Sequence, residues 1–232
     1  MSYKKFFSQI EDEILLDIFN RHSLHELVTK GDRIITEYIK ESYIHPNVKI
    51  AKNCTIEGLV YIGEGVSIQD YAFIRGPVII LNNSLIGKSA FIRNGSIIGS
   101  NTIIGHSSEI TRSILLNNTS IAHFNCITYS IIGSNVNFGS HACTTSFLLK
   151  NNNINSLDID MYYYIDENNK QKVNSKKFGA VIGDNCRFGA YSMTNPGVSM
   201  EPDCIVYPYT SVRKGYYFQD TRLSDRRERE LV

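Results

Sequence analysis

The stretch "IGEGVSIQDYAFIRGPVIILNNSLIGKSAFIRNGSII" (residues 62–98) repeats with a period of six. An isoleucine returns at every sixth position, and the same phase runs from Ile44 to Ile110. Four residues after each isoleucine stands a residue that is usually small or β-branched, such as Val66 and Ala72. Neither an amphipathic helix nor an alternating strand has this period. The repeat predicts a mainly β fold, a single-stranded left-handed parallel β-helix in which three hexapeptides make one triangular coil.

Beyond Ile110 the repeat weakens and then loses its phase. Three less hydrophobic positions continue the six-residue spacing: Leu116, Ala122 and Thr128. The phase then slips between Ala122 and Ile132, and a second block of repeats covers residues 182–212. Because His123 lies at the start of the slip, we expect the break to bend the backbone outward there and expose the imidazole.

The segments outside the repeat predict the domain organisation. Residues 1–42 contain isoleucines four apart and a capping box at 23–26, so they predict a small N-terminal helical cap. We expect this cap to cover the first coil, because an open end exposes strand edges. The β-helix is predicted over residues 43–215, with a polar excursion at 149–177 that is long enough to be a substrate lid or an arm on a neighbouring subunit. Residues 216–232 are predicted to be a charged C-terminal tail.

Composition narrows the function classes. The chain has 232 residues, 20% of them charged, and a formal net charge of +1, so it offers no overall field for nucleic acid or a membrane surface. The apolar pieces near the N-terminus are short and broken by acids, which argues against a signal peptide or a membrane span. Five cysteines without a CxxC pair argue against a disulfide framework or a zinc ribbon. A cytoplasmic protein is therefore expected.

Two arginines are candidates for anion binding. Arg75 and Arg93 are separated by three hexapeptides, which is one full coil, and each follows an isoleucine of the repeat. Stacked guanidinium groups repel each other unless an anion lies between them, and their geometry suits phosphate or carboxylate. The alternative is that each arginine pairs with a nearby acid such as Asp70 or Glu64.

Three histidines, His106, His123 and His141, recur at intervals close to one coil. Stacked histidines can bind a metal, but the His-x4-His spacing of the solenoid carbonic anhydrases is missing, so no metal site is expected. His123 alone suits general-base catalysis of transfer from a thioester, since an imidazole titrates near neutral pH. Direct attack needs no nucleophilic cysteine, and backbone N–H groups at Gly139 or Ser140 are expected to stabilise the oxyanion.

The residues from 44 to 215, about three quarters of the chain, resemble a known family. The most specific pieces are "IGHSSEITRSILLNNTSIAHFN" (104–125), "SIIGSNVNFG" (130–139) and "NPGVSMEPDCIVYPYTSVRKG" (195–215). They resemble the left-handed β-helix acyltransferases. The likeness is greatest to the acetyltransferase half of the bacterial bifunctional enzyme that makes N-acetylglucosamine 1-phosphate and couples it to uridine nucleotide. Short relatives that lack the nucleotidylyltransferase domain are more similar still.

This resemblance implies a role for several residues. It implies that His123 is the general base, that Arg93 binds the sugar phosphate, and that Asn137 contacts the sugar near its reacting nitrogen. It also implies a homotrimer with acetyl-coenzyme A as co-substrate in the groove between subunits. The residues expected to line that groove are Ser140, Ala190, Tyr207 and Arg213.

The chain also departs from the family pattern. The family carries other residues at four positions of the motif: Thr111, Cys126, His141 and Ser146. Two hypotheses therefore stay open. The first is a coenzyme-A-dependent acyltransferase, N- or O-specific, that acts on an amino-sugar phosphate or a nucleotide sugar. The second is a non-catalytic trimeric scaffold or ligand-sensing module for a separate nucleotidylyltransferase.

Overall fold

A computed structural model describes residues 2–8, 10–149 and 161–225 of the chain. Most of them wind into triangular coils whose sides form three parallel sheets, here called A, B and C. Successive strands along the chain belong to successive sheets, and each strand pairs in parallel with the strand one coil away. The predicted left-handed β-helix of hexapeptide repeats is thus confirmed.

The strands are short, and their bounds follow the hexapeptides. Sheet A contains Tyr43–Ile44, Val60–Ile62, Val78–Ile80, Ser96–Ile98, Ile114–Leu115, Ile131–Ile132, Ala180–Ile182, Val198–Met200 and Tyr216–Tyr217. Sheet B contains Lys49–Ile50, Ser67–Ile68, Leu85–Ile86, Ile103–His106, Ser120–His123, Asn137–Phe138, Arg187–Phe188, Ile205–Val206 and Arg222–Leu223. Sheet C contains Thr55–Glu57, Phe73–Arg75, Phe91–Arg93, Glu109–Thr111, Cys126–Thr128, Cys143–Thr144, Met193–Thr194 and Ser211–Val212.

The interior of the coils is a column of stacked aliphatic side chains, as the repeat predicts. From Ile62 to Ile110 every sixth residue is buried in one core cluster. After Ile110 the prediction was wrong, because the inward residues are not Leu116, Ala122 and Thr128. The residues that point inward there each lie one position earlier: Leu115, Ile121 and Ile127. The first loss of phase therefore precedes His123.

The two slips between Ile110 and Ile132 lie in the turns that lead from sheet C to sheet A. The inward residues are five apart at Ile110–Leu115 and again at Ile127–Ile132. Each slip makes its coil shorter by a single residue, and the first slip brings His106 into register with His123 on neighbouring strands of sheet B. The slips therefore do not bend the backbone at His123, which is exposed because it lies at a corner of the triangle.

Three short helices precede the coils. A 3-10 turn at Ser2–Lys5 is followed by α1 (Glu13–Arg21), α2 (Leu24–Thr29) and α3 (Gly31–Tyr38). The predicted capping box is present, because the Glu26 carboxylate accepts hydrogen bonds from the backbone N–H and hydroxyl of Ser23. None of the helices in the described ranges has the length and apolar composition that crossing a bilayer requires.

The helices lie on sheet A and not over the end of the first coil. Their apolar side chains form a second core with the outward residues of sheet A, including Ile97 and Ile131. An ion pair between Asp32 and Arg112 joins α3 to a turn of the coils. The first coil is left open, since Ile44 and Ile50 are 40% and 44% exposed.

The described part of the excursion also packs on sheet A. Its strands Met161–Tyr164 and Lys170–Val173 form an antiparallel hairpin. The side chains of Met161, Tyr163 and Val173 are buried against the same core as the helices. This hairpin is therefore part of the chain's own packing, whereas the predicted lid or arm at residues 150–160 lies outside the described residues.

The coils continue past the predicted boundary at Gly215. Strands Tyr216–Tyr217 and Arg222–Leu223 extend sheets A and B by one more turn. The side chains of Tyr217 and Leu223 pack against the interior column. Of the predicted charged tail, residues 226–232 lie outside the described residues.

Candidate active site

The corner between sheets B and C, here called the B–C edge, brings several predicted site residues into one row. The row consists of turn residues one coil apart: His106, His123, Ser140, Ala190 and Pro208. The residue after each member of the row donates its backbone N–H to the carbonyl of the preceding member. These distances are 3.0 Å from His141 to His123, 2.9 Å from Tyr191 to Ser140, and 3.0 Å from Tyr209 to Ala190. Neighbouring members are therefore about 4.8 Å apart along the axis.

A stack of aromatic rings runs beside this row. Phe124, His141, Tyr191 and Tyr209 stack in sequence, with centroid distances of 5.1, 4.6 and 5.2 Å. All four have left-handed φ angles of 52 to 62° at the corner, a conformation that bulky residues rarely adopt. Sequence reasoning missed this stack, although the signal was an aromatic residue at the same corner of successive coils.

His123 ends an unusually long strand of sheet B. Its strand Ser120–His123 pairs with Ile103–His106, so the two histidines are adjacent in register. The imidazole of His123 is exposed, whereas its backbone N–H is held by the side-chain oxygen of Asn125 at 2.9 Å. No group of three or more His, Cys, Asp or Glu side chains among the described residues is arranged to hold a metal ion.

The backbone N–H groups of the next coil differ in their availability. The N–H of Gly139 donates to the carbonyl of Phe188 at 2.7 Å, so it is used in the sheet. The N–H of Ser140 donates to no acceptor in the part of the chain that is described. Of the two residues expected to stabilise an oxyanion, Ser140 has the available donor, one coil from His123.

The two arginines are stacked as predicted, but each already has a carboxylate partner. Arg75 and Arg93 are in register on sheet C. Arg93 contacts Glu109 at 2.8 Å, and Arg75 contacts Glu57 at 3.5 Å. Each guanidinium also lies over the ring of the phenylalanine two residues earlier, at 5.3 and 4.8 Å from the ring centroid. The alternative of pairing with acids is what the structure shows, although the acids are not Asp70 or Glu64.

The remaining predicted residues lie in three places. Asn137 is exposed on sheet B, in register with Ser120 and one coil further along the axis. Tyr207 lines a cavity of about 590 Å³ at the C-terminal end of the B–C edge, together with Tyr209. Arg213 follows the strand Ser211–Val212, at the side of sheet C that is away from the B–C edge, and it lines a separate cavity of about 940 Å³. Arg75 and Arg93 lie on the same side of sheet C as Arg213, so none of the three arginines is brought together with His123, Ser140 and Ala190 in one chain.

Two cysteines lie on sheet C near this edge. Cys126 is in register with Cys143, and both are half-buried on the outer side of the sheet. The six-residue phase, continued through Ala122, predicts that Cys126 takes the small inward position four residues later, and the structure shows that this prediction is wrong. Burial raises the pKa of Cys126 to about 11 and also raises the pKa of Cys143. Because the thiolate is the nucleophilic form, neither thiol is prepared for covalent catalysis near neutral pH.

Comparison with known protein families identifies the coils. The family described as the GMPPB C-terminal domain matches residues 38–106 and 74–156, which together span 119 of the 232 residues. The chain belongs to the GMPPB C-terminal domain family. A further match, described as the hexapeptide repeat of succinyl-transferase, covers residues 179–207. The GMPPB-type coils and this repeat thus account for both blocks of the sequence pattern.

Solved structures with a weak similarity to this GMPPB-type chain include three acyltransferases. The UDP-N-acetylglucosamine acyltransferase of Campylobacter jejuni is 14% identical, with a TM-score of 0.38 over 77% of this chain and 68% of that one. The corresponding enzyme of Francisella novicida is 17% identical, with a TM-score of 0.40 over 75% and 62%. AntD, an N-acyltransferase from Bacillus cereus, is 16% identical, with a TM-score of 0.33 over 85% and 81%. A search of the curated proteins gave no match.

Proposed function

We propose that the chain is a coenzyme-A-dependent acyltransferase of the cytoplasm that uses His123 as its general base. The observation that carries this proposal is the row on the B–C edge. An exposed imidazole at His123, a free backbone donor at Ser140 and the small residue Ala190 follow one another at intervals of one coil. The family match described as a succinyl-transferase repeat also supports acyl transfer. We take acetyl as the acyl group from the sequence resemblance.

The reaction follows from these positions. The acceptor amine or hydroxyl attacks the thioester carbonyl while the His123 imidazole removes its proton. The Ser140 N–H stabilises the negative charge that develops on the carbonyl oxygen. The carbon–sulfur bond then breaks, and the imidazolium returns the proton to the departing thiolate. No acyl-enzyme forms, which agrees with the raised pKa of Cys126.

The acceptor class in this proposal is an amino-sugar phosphate or a nucleotide sugar. Asn137 is exposed on the sheet that leads to the B–C edge, and Arg93 and Arg75 are the cations assigned to the phosphate. A phosphate that binds Arg93 must compete with Glu109, which already contacts that guanidinium at 2.8 Å. Phosphate binding is therefore weaker than two unpaired arginines would give.

The same ion pairs favour the second candidate, a non-catalytic trimeric scaffold or ligand sensor. A stacked arginine pair that is neutralised by Glu57 and Glu109 needs no anionic ligand to be stable. Binding of coenzyme A separates the two candidates, because the scaffold has no need of an acyl donor.

We expect acetyl-coenzyme A to raise the melting temperature of the protein. A ligand at a hundred times its dissociation constant stabilises the folded state by about 2.7 kcal/mol. Tyr207→Ala should reduce this shift, because Tyr207 lines the cavity at the end of the edge. Tyr71→Ala is the matched control, since Tyr71 is also exposed at the same corner but lies three coils before His123. No shift in the wild type would favour the scaffold.

We also propose a homotrimer in which the B–C edge faces a neighbouring subunit. Sheet A is covered by the chain's own helices and hairpin, so sheets B and C remain for association. Ile103→Asp on sheet B should lower the sedimenting mass from trimer toward monomer, whereas Leu16→Asp on α1 should not. Both side chains are 40% exposed, so the two variants are matched. A wild-type monomer at micromolar concentration in sedimentation equilibrium would contradict the intersubunit site.

A further inference from the structure

Asn125 occupies a place in the coils that otherwise holds short side chains. At each turn from sheet B to sheet C one residue points inward between the strands. In the other coils this residue is one of the following: Cys54, Ala72, Ala90, Ser108, Ala142, Ser192 or Thr210. Asn125 takes this place in the turn that follows His123, and it is only 2% exposed. A buried amide must find hydrogen-bond partners, and its partners define what it does.

The amide of Asn125 connects two neighbouring turns. Its oxygen accepts a hydrogen bond from the backbone N–H of His123 at 2.9 Å. Its nitrogen donates to the carbonyl of Gly139 at 2.7 Å and to the carbonyl of Ala142 at 2.9 Å. These two carbonyls are the ends of the turn that contains Ser140. One side chain therefore joins the turn of the proposed base to the turn of the proposed oxyanion donor.

The turn at His123 depends on this side chain because its backbone lacks the usual closure. In neighbouring coils the inward residue donates its N–H to the carbonyl three residues earlier, at 3.1 Å for Ala90, 3.3 Å for Ser108 and 3.1 Å for Ala142. Within the described residues no such bond closes the turn from Ala122 to Asn125. Phe124 also has a left-handed φ of 52°, which a bulky residue adopts only when its surroundings hold it there.

From this geometry we propose that Asn125 is a positioning residue that fixes the distance between His123 and the N–H of Ser140. This inference rests on the proposed acyltransferase function and adds a residue to it. Asn125 does not contact the reacting atoms; it acts through the two turns that it joins. Loss of the amide frees both turns, and a displacement of about 1 Å between reacting groups can cost about a hundred-fold in rate.

The test compares Asn125→Ser with Cys54→Ala. Serine is found at the same place one coil earlier, as Ser108, so Asn125→Ser keeps a side chain that the coil accepts. Cys54→Ala removes a side-chain bond of 2.9 Å to the carbonyl of Ala51 at the same place four coils earlier. We expect Asn125→Ser to lower kcat by about ten- to a hundred-fold with an unchanged KM for acetyl-coenzyme A. Cys54→Ala should leave both constants unchanged.

Two further measurements separate positioning from general stability. In the His123→Ala background the Asn125→Ser change should alter kcat by less than about twofold, because the base that it positions is gone. An equal loss in both backgrounds, or no loss in the wild type, would overturn the proposal. If the wild type has no activity at all, the acyltransferase proposal is wrong. Amide hydrogen exchange then tests whether the Asn125 side chain holds the two turns together. Faster exchange of the backbone N–H groups of His123 and Ala142 in Asn125→Ser supports the connection between the two turns, and unchanged exchange overturns it.

Discussion

Replacing His123 with alanine should lower the turnover number by about a hundred- to ten-thousand-fold, which is the usual contribution of a general base. The side chain is exposed at the end of its strand, and its backbone N–H is held by Asn125, so the fold should tolerate the change. The melting temperature, the sedimenting mass and the affinity for acetyl-coenzyme A should stay close to those of the wild type. Steady-state release of the coenzyme A thiol measures the loss.

His141 is the necessary control for this experiment. Its ring lies in the next coil, stacked at 5.1 Å on Phe124, and Ser140 contacts its Nδ1 at 2.7 Å. Because it is held in the aromatic stack, we expect His141→Ala to lower turnover far less than His123→Ala. If His141→Ala has the larger effect, the base has been assigned to the wrong histidine.

The largest expected effect on stability comes from Phe138→Ala. Phe138 and Phe188 lie inside the coils on either side of the excursion, with centroids 4.4 Å apart and planes at 2°. Both side chains are 2% exposed, so truncation leaves a cavity between the two blocks of repeats. Large-to-small changes of this kind cost about 3–5 kcal/mol. Urea unfolding measures the change.

Phe218→Ala is the matched control for this stability prediction. Phe218 also packs on an aromatic ring, that of Tyr216 at 5.4 Å, but it is 54% exposed. Its removal should lower the free energy of unfolding by much less than that of Phe138. Equal effects of the two substitutions would mean that the phenylalanine pair does not join the two blocks.

The fold was predictable because one residue in each hexapeptide, the inward isoleucine, is enough to show the repeat. From Ile62 to Ile110 each inward isoleucine contacts the isoleucine of the next coil, so the period alone specifies the architecture. The two slips were not predictable in the same way. Leu115 and Leu116 are both leucines, and only the pairing with Ile98 decides which one points inward.

The placement of the site was partly predictable. His123, Ser140 and Ala190 fall on one edge because residues one coil apart are neighbours, and coil length follows from the sequence. The pairing of Arg93 with Glu109 was missed, because Glu109 is in register with Phe91 and reaches the guanidinium diagonally across neighbouring strands. The hydrogen bonds of the Asn125 side chain were also missed, since the assumed six-residue phase placed Cys126 and not Asn125 at the inward position.

The helices themselves were predictable, but the surface that they cover was not. Its amphipathic spacing predicted helices, and the capping box was confirmed at Ser23 and Glu26. Which surface the helices cover depends on the outward residues of sheet A, such as Ile79 and Ile97, and on the hairpin of the excursion. In the sequence these apolar residues directly precede inward residues of the repeat, so the hydrophobic pattern did not distinguish them from the interior column. The sequence pattern alone therefore assigned the helices to the open end.

The most direct test of the acyltransferase proposal is thiol release from acetyl-coenzyme A by the wild type and by the His123→Ala/His141→Ala double variant. The acceptor used as a probe is glucosamine 1-phosphate, with glucosamine as the dephosphorylated comparison. We predict acceptor-dependent thiol release by the wild type and a loss of at least about a hundred-fold in the double variant. Activity that survives the loss of both histidines would contradict the proposed mechanism. A wild type that releases no thiol with these amino sugars would contradict the proposal that the chain is an acyltransferase.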